Sequence, residues 1–175
     1  MTPSPDIYVI DTSALVDLDG HKIGSNPKTA YMCDDATRET VWKGIEELAR
    51  LGRIVAVYAQ RTEIARHLPH LHKRFNRIDG FYRADTPEVL VRAMQILANA
   101  PDWAKELEKR EPQNDMADPY IVALAQLEGR IVITSELHRR DRPKKKGARI
   151  PDICENYGVV WKPLPWFIQQ EALAR

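Results

Sequence analysis

The sequence predicts an α/β protein, a three-layer α/β/α sandwich built on a mainly parallel sheet. Short apolar runs alternate along the chain with longer segments whose apolar residues recur at helical spacing. The apolar runs are continuous, which is typical of strands that are buried on both faces. This alternation favours parallel strands with helices on both faces and right-handed crossovers. No repeat or linker divides the 175 residues, so we expect residues 1–175 to form one domain.

Four apolar runs are the predicted strands. β-Branched residues dominate the first three, and the fourth begins at a glycine. The runs cover residues 7–10, 54–57, 130–134 and 158–161. In an open parallel sheet the carboxyl ends of the strands lie at one edge, and that is where ligands bind.

Start and stop signals bound the predicted helices. Residues 15–16 indicate only a brief helical turn after the first strand. Thr86 and Asp118 each precede a proline, so each is predicted to be an N-cap with proline at the first helical position. Gly52 is predicted to end the first long helix. The predicted helices cover residues 36–51, 60–67, 87–99, 101–110, 119–127, 151–157 and 165–173. Residues 19–35 are a predicted loop, and residues 69–85 lack the periodicity that would predict an element.

The composition indicates an ordinary globular protein, with 43% hydrophobic and 29% charged residues. A net charge of +1 gives no general sign of a nucleic-acid partner, so any basic surface has to be local. Cys33 and Cys154 are too few for a disulfide framework and are predicted to be reduced. The first residues do not resemble a signal peptide, and no apolar run approaches a membrane-spanning length. We therefore expect a cytoplasmic protein without membrane association.

Four acidic residues follow strands or begin helices. Asp11 follows the first strand, Glu63 lies on the helix after the second, Asp118 begins a late helix and Glu136 follows the third strand. Carboxylates that meet at one edge of a sheet repel one another unless a cation neutralises them. Oxygen ligands favour a hard ion such as Mg²⁺ or Mn²⁺. The four acids are therefore predicted to be catalytic metal ligands for phosphoryl chemistry.

Asp11 and Glu63 also have simpler interpretations. An aspartate after a strand can cap the next turn, but an acid at the tip of a buried strand is costly unless it is paired. Ser13 is a candidate to orient the Asp11 carboxylate or to bind a metal-bound water. Glu63 in the first turn of a helix is favourable through the helix dipole alone.

The later acids have close neighbours that compete with them. For Asp118, capping and metal binding are not exclusive roles, because one carboxylate oxygen can serve each. Asp115, three residues earlier, is a second candidate ligand or a loop residue. Glu136 is a candidate ligand or a surface acid, and Asp152 is the alternative fourth acid, although a helix-start role is favoured for it.

A basic stretch follows Glu136. Residues 138–149 are rich in Arg and Lys, and their single acid is Asp141. Such a run is often only a solvated loop, but beside a metal site it can hold a phosphate backbone. The predicted nucleic-acid-binding residues are Arg139, Arg140, Lys144, Lys145 and Lys146.

In these motifs the chain resembles a PIN domain, the nuclease fold of VapC-type toxins. The resemblance rests on Ile10-Asp11-Thr12-Ser13, on Glu63, on Asp118-Pro119 and on Thr134-Ser135-Glu136, where Glu stands in place of the commoner Asp. Thr134 is a secondary site candidate through this last motif. The segment 150–154 and the long regions 19–35 and 68–86 indicate an atypical PIN-like branch.

The resemblance implies a PIN-like sheet and a specific activity. The expected reaction is Mg²⁺- or Mn²⁺-dependent hydrolysis of phosphodiester bonds in single-stranded RNA, leaving a 5′-phosphate. A toxin of a toxin-antitoxin system is expected, with a homodimeric assembly and an antitoxin protein that covers the acidic pocket. All four acids are expected to hold the metal.

Two alternatives stay open. A haloacid dehalogenase-type phosphatase also has Asp after its first strand, but it requires a second Asp two positions later, where this chain has Ser13. A non-catalytic PIN-like module would bind nucleic acid or protein without cleavage.

Overall fold

The computed structural model describes residues 5–20, 22–23, 31–108, 116–141 and 148–174. A five-stranded parallel sheet has the order β5-β4-β1-β6-β7. Its strands are β1 Tyr8–Ile10, β4 Ile54–Val57, β5 Tyr82–Arg83, β6 Ile131–Thr134 and β7 Trp161–Pro163. A separate antiparallel pair consists of β2 Lys22–Ile23 and β3 Tyr31–Met32. The predicted α/β class with a parallel sheet is confirmed.

Strand β1 is the centre of the sheet. Tyr8 pairs with Ile54 on one side and with Ile131 on the other. The Asp11 amide donates to the Ile133 carbonyl at 2.8 Å, so the ladder continues one residue beyond β1. Because the strands are parallel, their carboxyl ends share one edge, called here the carboxyl edge; the opposite one is the amino edge.

Helices cover both faces of the sheet. They are α1 Thr12–Asp19, α2 Asp35–Arg50, α3 Gln60–His67, α4 Pro69–Phe75, α5 Pro87–Ala98, α6 Pro101–Glu108, α7 Asp118–Glu128, α8 Ile150–Asn156 and α9 Leu164–Gln170, with a short 3₁₀ helix at Arg139–Asp141. Alternate strand residues face different layers, as the pleat requires. Tyr8 and Ile10 pack into a core with α1–α4 and α9, whereas Val9 and Val132 pack into a second core with α5–α8.

Several predicted boundaries are wrong. Residues 69–85 contain α4 and β5, which the sequence did not indicate: α4 buries only Leu71 and Phe75, and β5 is two residues long. Strand β7 begins at Trp161 because Gly158, at φ +66°, belongs to the turn that ends α8. Helix α1 is a full helix, since the buried Leu15 and Leu18 anchor it.

The two predicted N-caps differ in outcome. The Thr86 hydroxyl accepts from the Val89 amide at 3.4 Å, so this cap is confirmed. Asp118 is already inside α7, and Ala117 precedes it as the cap residue, with its carbonyl accepting from the Ile121 amide. Asp118 is therefore the first helical residue and is not the N-cap. In the described part of the chain, no helix has the length and apolarity needed to cross a membrane.

Candidate active site

The Asp11 carboxylate lies at the end of the central strand and is only 5% exposed. Its Oδ2 accepts hydrogen bonds from the Ser13 hydroxyl and, at 2.8 Å, from the Thr134 hydroxyl. Ser13, the candidate for orienting Asp11, therefore contacts its carboxylate directly. Thr134, fully buried at the end of β6, joins the same contact.

Backbone amides fix the direction of these hydroxyl bonds. The Ser135 amide donates to the Ser13 hydroxyl and the Glu136 amide donates to the Thr134 hydroxyl, each at 3.0 Å. Since an amide N–H can only donate, each hydroxyl receives one proton and directs its own proton toward Asp11. Two donors therefore hold one oxygen of Asp11, and its Oδ1 accepts no hydrogen bond from the described residues.

The electrostatic surroundings of Asp11 oppose its ionisation. Burial, followed by the nearby charge of Glu136, raises the pKa of Asp11 to about 7, and Glu63 adds to the rise. The hydroxyl bonds from Ser13 and Thr134 act in the opposite direction without cancelling it. Asp11 is thus buried and close to other negative charges. A bound cation would offset the cost of ionising it there.

Glu63 lies on α3, which packs on the sheet face of Tyr8 and Ile10. It is half-buried on α3, and its Oε2 accepts from the Thr12 hydroxyl at 3.1 Å. Thr12 in turn contacts Gln60, a fully buried residue that the sequence analysis missed. A glutamine at the start of a helix gives no sequence signal of burial, because two of its partners, Ile10 and Thr12, lie far from it along the chain.

Glu136 is held by the start of α8. Its Oε1 lies 3.3 Å from Arg149 Nη1, and its Oε2 accepts from the Ile150 amide at 2.9 Å. Its charge acts on Asp11, but both of its oxygens are engaged. Arg149 is a second residue that the sequence analysis did not single out, because its partner Glu136 lies 13 residues earlier in the chain.

Asp152 has the helix-start role that was favoured for it. Its Oδ2 accepts from the Arg149 amide at 2.8 Å, and its Oδ1 lies 3.1 Å from His138 Nδ1. The other ring nitrogen of His138 lies 2.9 Å from Glu155 Oε2. Asp152 therefore stabilises the turn before α8.

The direction of α7 indicates the position of the Asp118 backbone. This helix ends at Gly129, which has φ +66° and leads almost directly into β6, so the start of α7 lies at the opposite end, near the carboxyl edge. Helix α7 packs on the face of Val9 and Val132. The carboxylates that raise the pKa of Asp11 are those of Glu136 and Glu63. Asp115 lies outside the described residues.

Only part of the predicted nucleic-acid surface is described. Arg139 opens the 3₁₀ helix, and the exposed Arg140 has its Nη2 3.7 Å from Glu155 Oε1. Lys144, Lys145 and Lys146 lie outside the described residues. At the far end of this segment, the Ala148 carbonyl accepts from Trp103 Nε1 at 3.1 Å.

The donor set suits a hard divalent cation. Over the described ranges, no three His, Cys, Asp or Glu side chains are grouped closely enough to hold an ion as they stand. The groups around Asp11 nevertheless present oxygen atoms, the donors that Mg²⁺ and Mn²⁺ prefer. The nearby thiol is not a competitor: burial and the charges of Asp11 and Glu136 raise the pKa of Cys154, so it stays protonated. In chemistry and charge, the residues present fit such an ion.

The sequence matches one protein family over nearly its whole length. The match covers residues 8–174, and the family is described as a domain of unknown function, DUF4411. The chain belongs to the DUF4411 family. No curated protein matches the chain in sequence. The matched range contains all the candidate site residues, so the site lies within the family domain.

Proposed function

We propose that this protein is a metal-dependent endoribonuclease that hydrolyses phosphodiester bonds in single-stranded RNA. The observation that carries the proposal is the buried Asp11 carboxylate, which has hydroxyl donors on one oxygen and negative charges nearby. An arrangement this unfavourable in a folded chain is typical of a functional site. It supports a cation site at the carboxyl edge, where open α/β sheets bind ligands.

Asp11, Glu63 and Asp118 are the residues that would hold Mg²⁺ or Mn²⁺. When bound, such an ion lowers the pKa of a water molecule and offsets charge on the scissile phosphate. Ser13 and Thr134 keep one Asp11 oxygen in place, and the other is left available to the ligand. Glu136, whose oxygens already contact Arg149 and the Ile150 amide, would join as a fourth ligand through their remaining lone pairs.

A polyanionic substrate needs positive charge beside these acids. Arg139 and Arg140 begin the segment that follows Glu136, and Lys144, Lys145 and Lys146 continue it. Such cations hold a phosphate backbone through counterion release. The resemblance to PIN domains extends the proposal to a cytoplasmic toxin that forms a homodimer and is inhibited by an antitoxin protein.

The phosphatase alternative is less well supported by the geometry. That chemistry needs an acid two residues after Asp11, where the Ser13 hydroxyl instead donates to the Asp11 carboxylate. A hydroxyl in this role orients the carboxylate and is a poor proton donor to a leaving group.

Cleavage of a fluorescently labelled single-stranded RNA tests the proposal. We expect cleavage with Mg²⁺ or Mn²⁺, none with EDTA, and 5′-phosphate ends on the products. Equal cleavage in EDTA would reject the metal mechanism. RNA binding without cleavage at any divalent concentration would favour the non-catalytic module, and hydrolysis of p-nitrophenyl phosphate in its place would favour the phosphatase.

A further inference from the structure

Gln60 connects two strand ends and the site. It is fully buried at the first residue of α3. Its Oε1 accepts from the Val57 amide at 2.9 Å, at the end of β4. Its Nε2 donates to the Ile10 carbonyl at 2.9 Å, at the end of β1, and to the Thr12 hydroxyl at 3.1 Å.

The partners of Gln60 allow only one orientation of its amide. The Val57 amide can only donate and the Ile10 carbonyl can only accept, so the oxygen must face Val57 and the nitrogen must face Ile10. The nitrogen then also donates to Thr12. Because the Thr12 oxygen receives that proton, its own hydroxyl proton is directed to Glu63, whose Oε2 lies 3.1 Å away.

We infer that Gln60 is a positioning residue that sets the direction of the Thr12 hydroxyl and thereby holds the Glu63 carboxylate at the carboxyl edge. This role rests on the proposed function, in which Glu63 is a ligand to the divalent cation. The device mirrors the one at Asp11, where backbone amides direct the hydroxyls of Ser13 and Thr134. At Glu63 a side-chain amide, that of Gln60, performs this task.

A purely structural role for Gln60 is the competing explanation, because its bonds also join β4 to β1. Loss of those bonds would lower stability whether or not Glu63 were affected. The test therefore needs readouts that follow Glu63 itself: the position of its carboxylate, the affinity for Mn²⁺, and kcat measured separately from KM.

Gln60→Glu is the primary variant, because it keeps the shape and removes one donor. The new carboxyl group has at most one proton for two acceptors, so the Thr12 hydroxyl turns toward it and leaves Glu63. We expect Mn²⁺ affinity to fall about tenfold, as is typical when an outer partner of a metal ligand is lost. We expect kcat to fall similarly with KM for RNA little changed, and a crystal structure to show the Glu63 carboxylate displaced.

Gln126→Glu is the matched control. Gln126 also donates from Nε2 to a backbone carbonyl, that of Tyr157 at 2.9 Å, but it lies near the end of α7 far from the carboxyl edge. The same chemical change there should leave Mn²⁺ affinity and kcat unchanged, even if stability falls.

Thr12→Val and Thr12→Ser give the same information if Gln60→Glu does not fold. Thr12→Val removes the hydroxyl and keeps the Gln60 bonds to Val57 and Ile10, so it should reproduce the loss of Mn²⁺ affinity. Thr12→Ser should restore it. If Glu63 stays in place and Mn²⁺ affinity is unchanged in Gln60→Glu and Thr12→Val, Gln60 only joins the strands and the inference is wrong.

The same experiments separate this inference from the proposed function. If the wild-type protein binds Mn²⁺ but cleaves no RNA, the ribonuclease proposal fails, and weaker Mn²⁺ binding by Gln60→Glu still supports the positioning role. If the wild-type protein binds no Mn²⁺, the crystal structures decide: a displaced Glu63 carboxylate in both variants supports positioning, and an unmoved one rejects it.

Discussion

The two edges of the sheet differ in the partners of their buried charged residues. At the amino edge, Glu171 accepts from the Tyr8 hydroxyl at 2.5 Å and from two nitrogens of Arg53 at 2.8 and 2.6 Å. The buried Arg130 there lies 2.6 Å from Glu128 and donates to the Tyr8 carbonyl. At the carboxyl edge, the described residues that donate to the Asp11 carboxylate are the hydroxyls of Ser13 and Thr134, and the charges that raise its pKa are those of Glu136 and Glu63.

The difference lies in whether a described cation offsets the buried negative charge. Ion pairs and hydrogen bonds at the amino edge offset the cost of removing charge from water. No described cation does so for Asp11, whose pKa is raised to about 7 by burial and by Glu136 and Glu63. The amino edge is complete in the folded chain, whereas the carboxyl edge is suited to a positive ligand.

Asp11→Asn should have the largest effect. The variant keeps the size of the side chain and removes its charge, so RNA cleavage in Mn²⁺ should fall by about a thousandfold, as for loss of a central catalytic group. Circular dichroism should show an unchanged fold, and in EDTA at pH 8 the melting temperature should rise because like-charge repulsion is removed. Near-normal turnover would show that Asp11 is only a turn residue, and the two edges would then not differ in function.

The pH dependence of stability should show the same contrast without any metal. The folded protein holds a proton on Asp11 up to a pKa of about 7, against 3.8 for an ordinary aspartate. The stability from that proton is present below pH 3.8 and is lost as the pH rises through about 7. Urea unfolding in EDTA should therefore show wild type losing a few kcal/mol relative to Asp11→Asn across this window, on the order of 1.4 kcal/mol per pKa unit. A constant difference would mean that Asp11 is ionised throughout.

Substitution of Asp118 tests whether this residue belongs to the proposed cation site. Asp118→Asn keeps a helix-start residue but removes the charge, so Mn²⁺ affinity and cleavage should fall by between about 10- and 100-fold. Asp115→Asn is the control, and we expect a milder loss. The reverse ranking would assign the third ligand to Asp115.

Arg53→Met should affect stability alone. Arg53 and Glu171 are 21% and 11% exposed, so removing the cation leaves a partly buried carboxylate unpaired. The free energy of unfolding should fall by about 2 kcal/mol in chemical denaturation. RNA cleavage by the folded protein should be unchanged, because Arg53 lies at the amino edge. A loss of kcat would show that the two edges are coupled.

The strands and acids were predictable where a local pattern carries the information. Continuous apolar runs located β1, β4 and β6, and the acids after them followed from the geometry of parallel strands. Short elements such as β5 carry too few residues to show a period, and pairing with β4 determines them. The Asp118 cap was wrong because α7 begins one residue earlier than its Asp-Pro motif indicated, whereas the Thr-Pro motif located the start of α5.

Some contacts within the site could not be predicted from the sequence, because they join residues that are far apart along the chain. Gln60 and Arg149 act through partners on other elements, so neither has a local motif that marks it. Ser13 was predicted to orient Asp11 because the two are neighbours along the chain. Residues that lie next to an acid in sequence are easier to predict than residues that reach it through the fold.

Mn²⁺ binding measured by titration calorimetry at pH 6 and pH 8, in buffers of different ionisation enthalpy, tests the central claim most directly. Asp11 is mostly protonated at pH 6 and mostly ionised at pH 8, because its pKa is about 7. Binding at the carboxyl edge should therefore release close to one proton at pH 6 and far less at pH 8, and Asp11→Asn should bind much more weakly. Absence of Mn²⁺ binding, equal binding by Asp11→Asn, or binding at pH 6 without proton release would contradict a cation site built on Asp11.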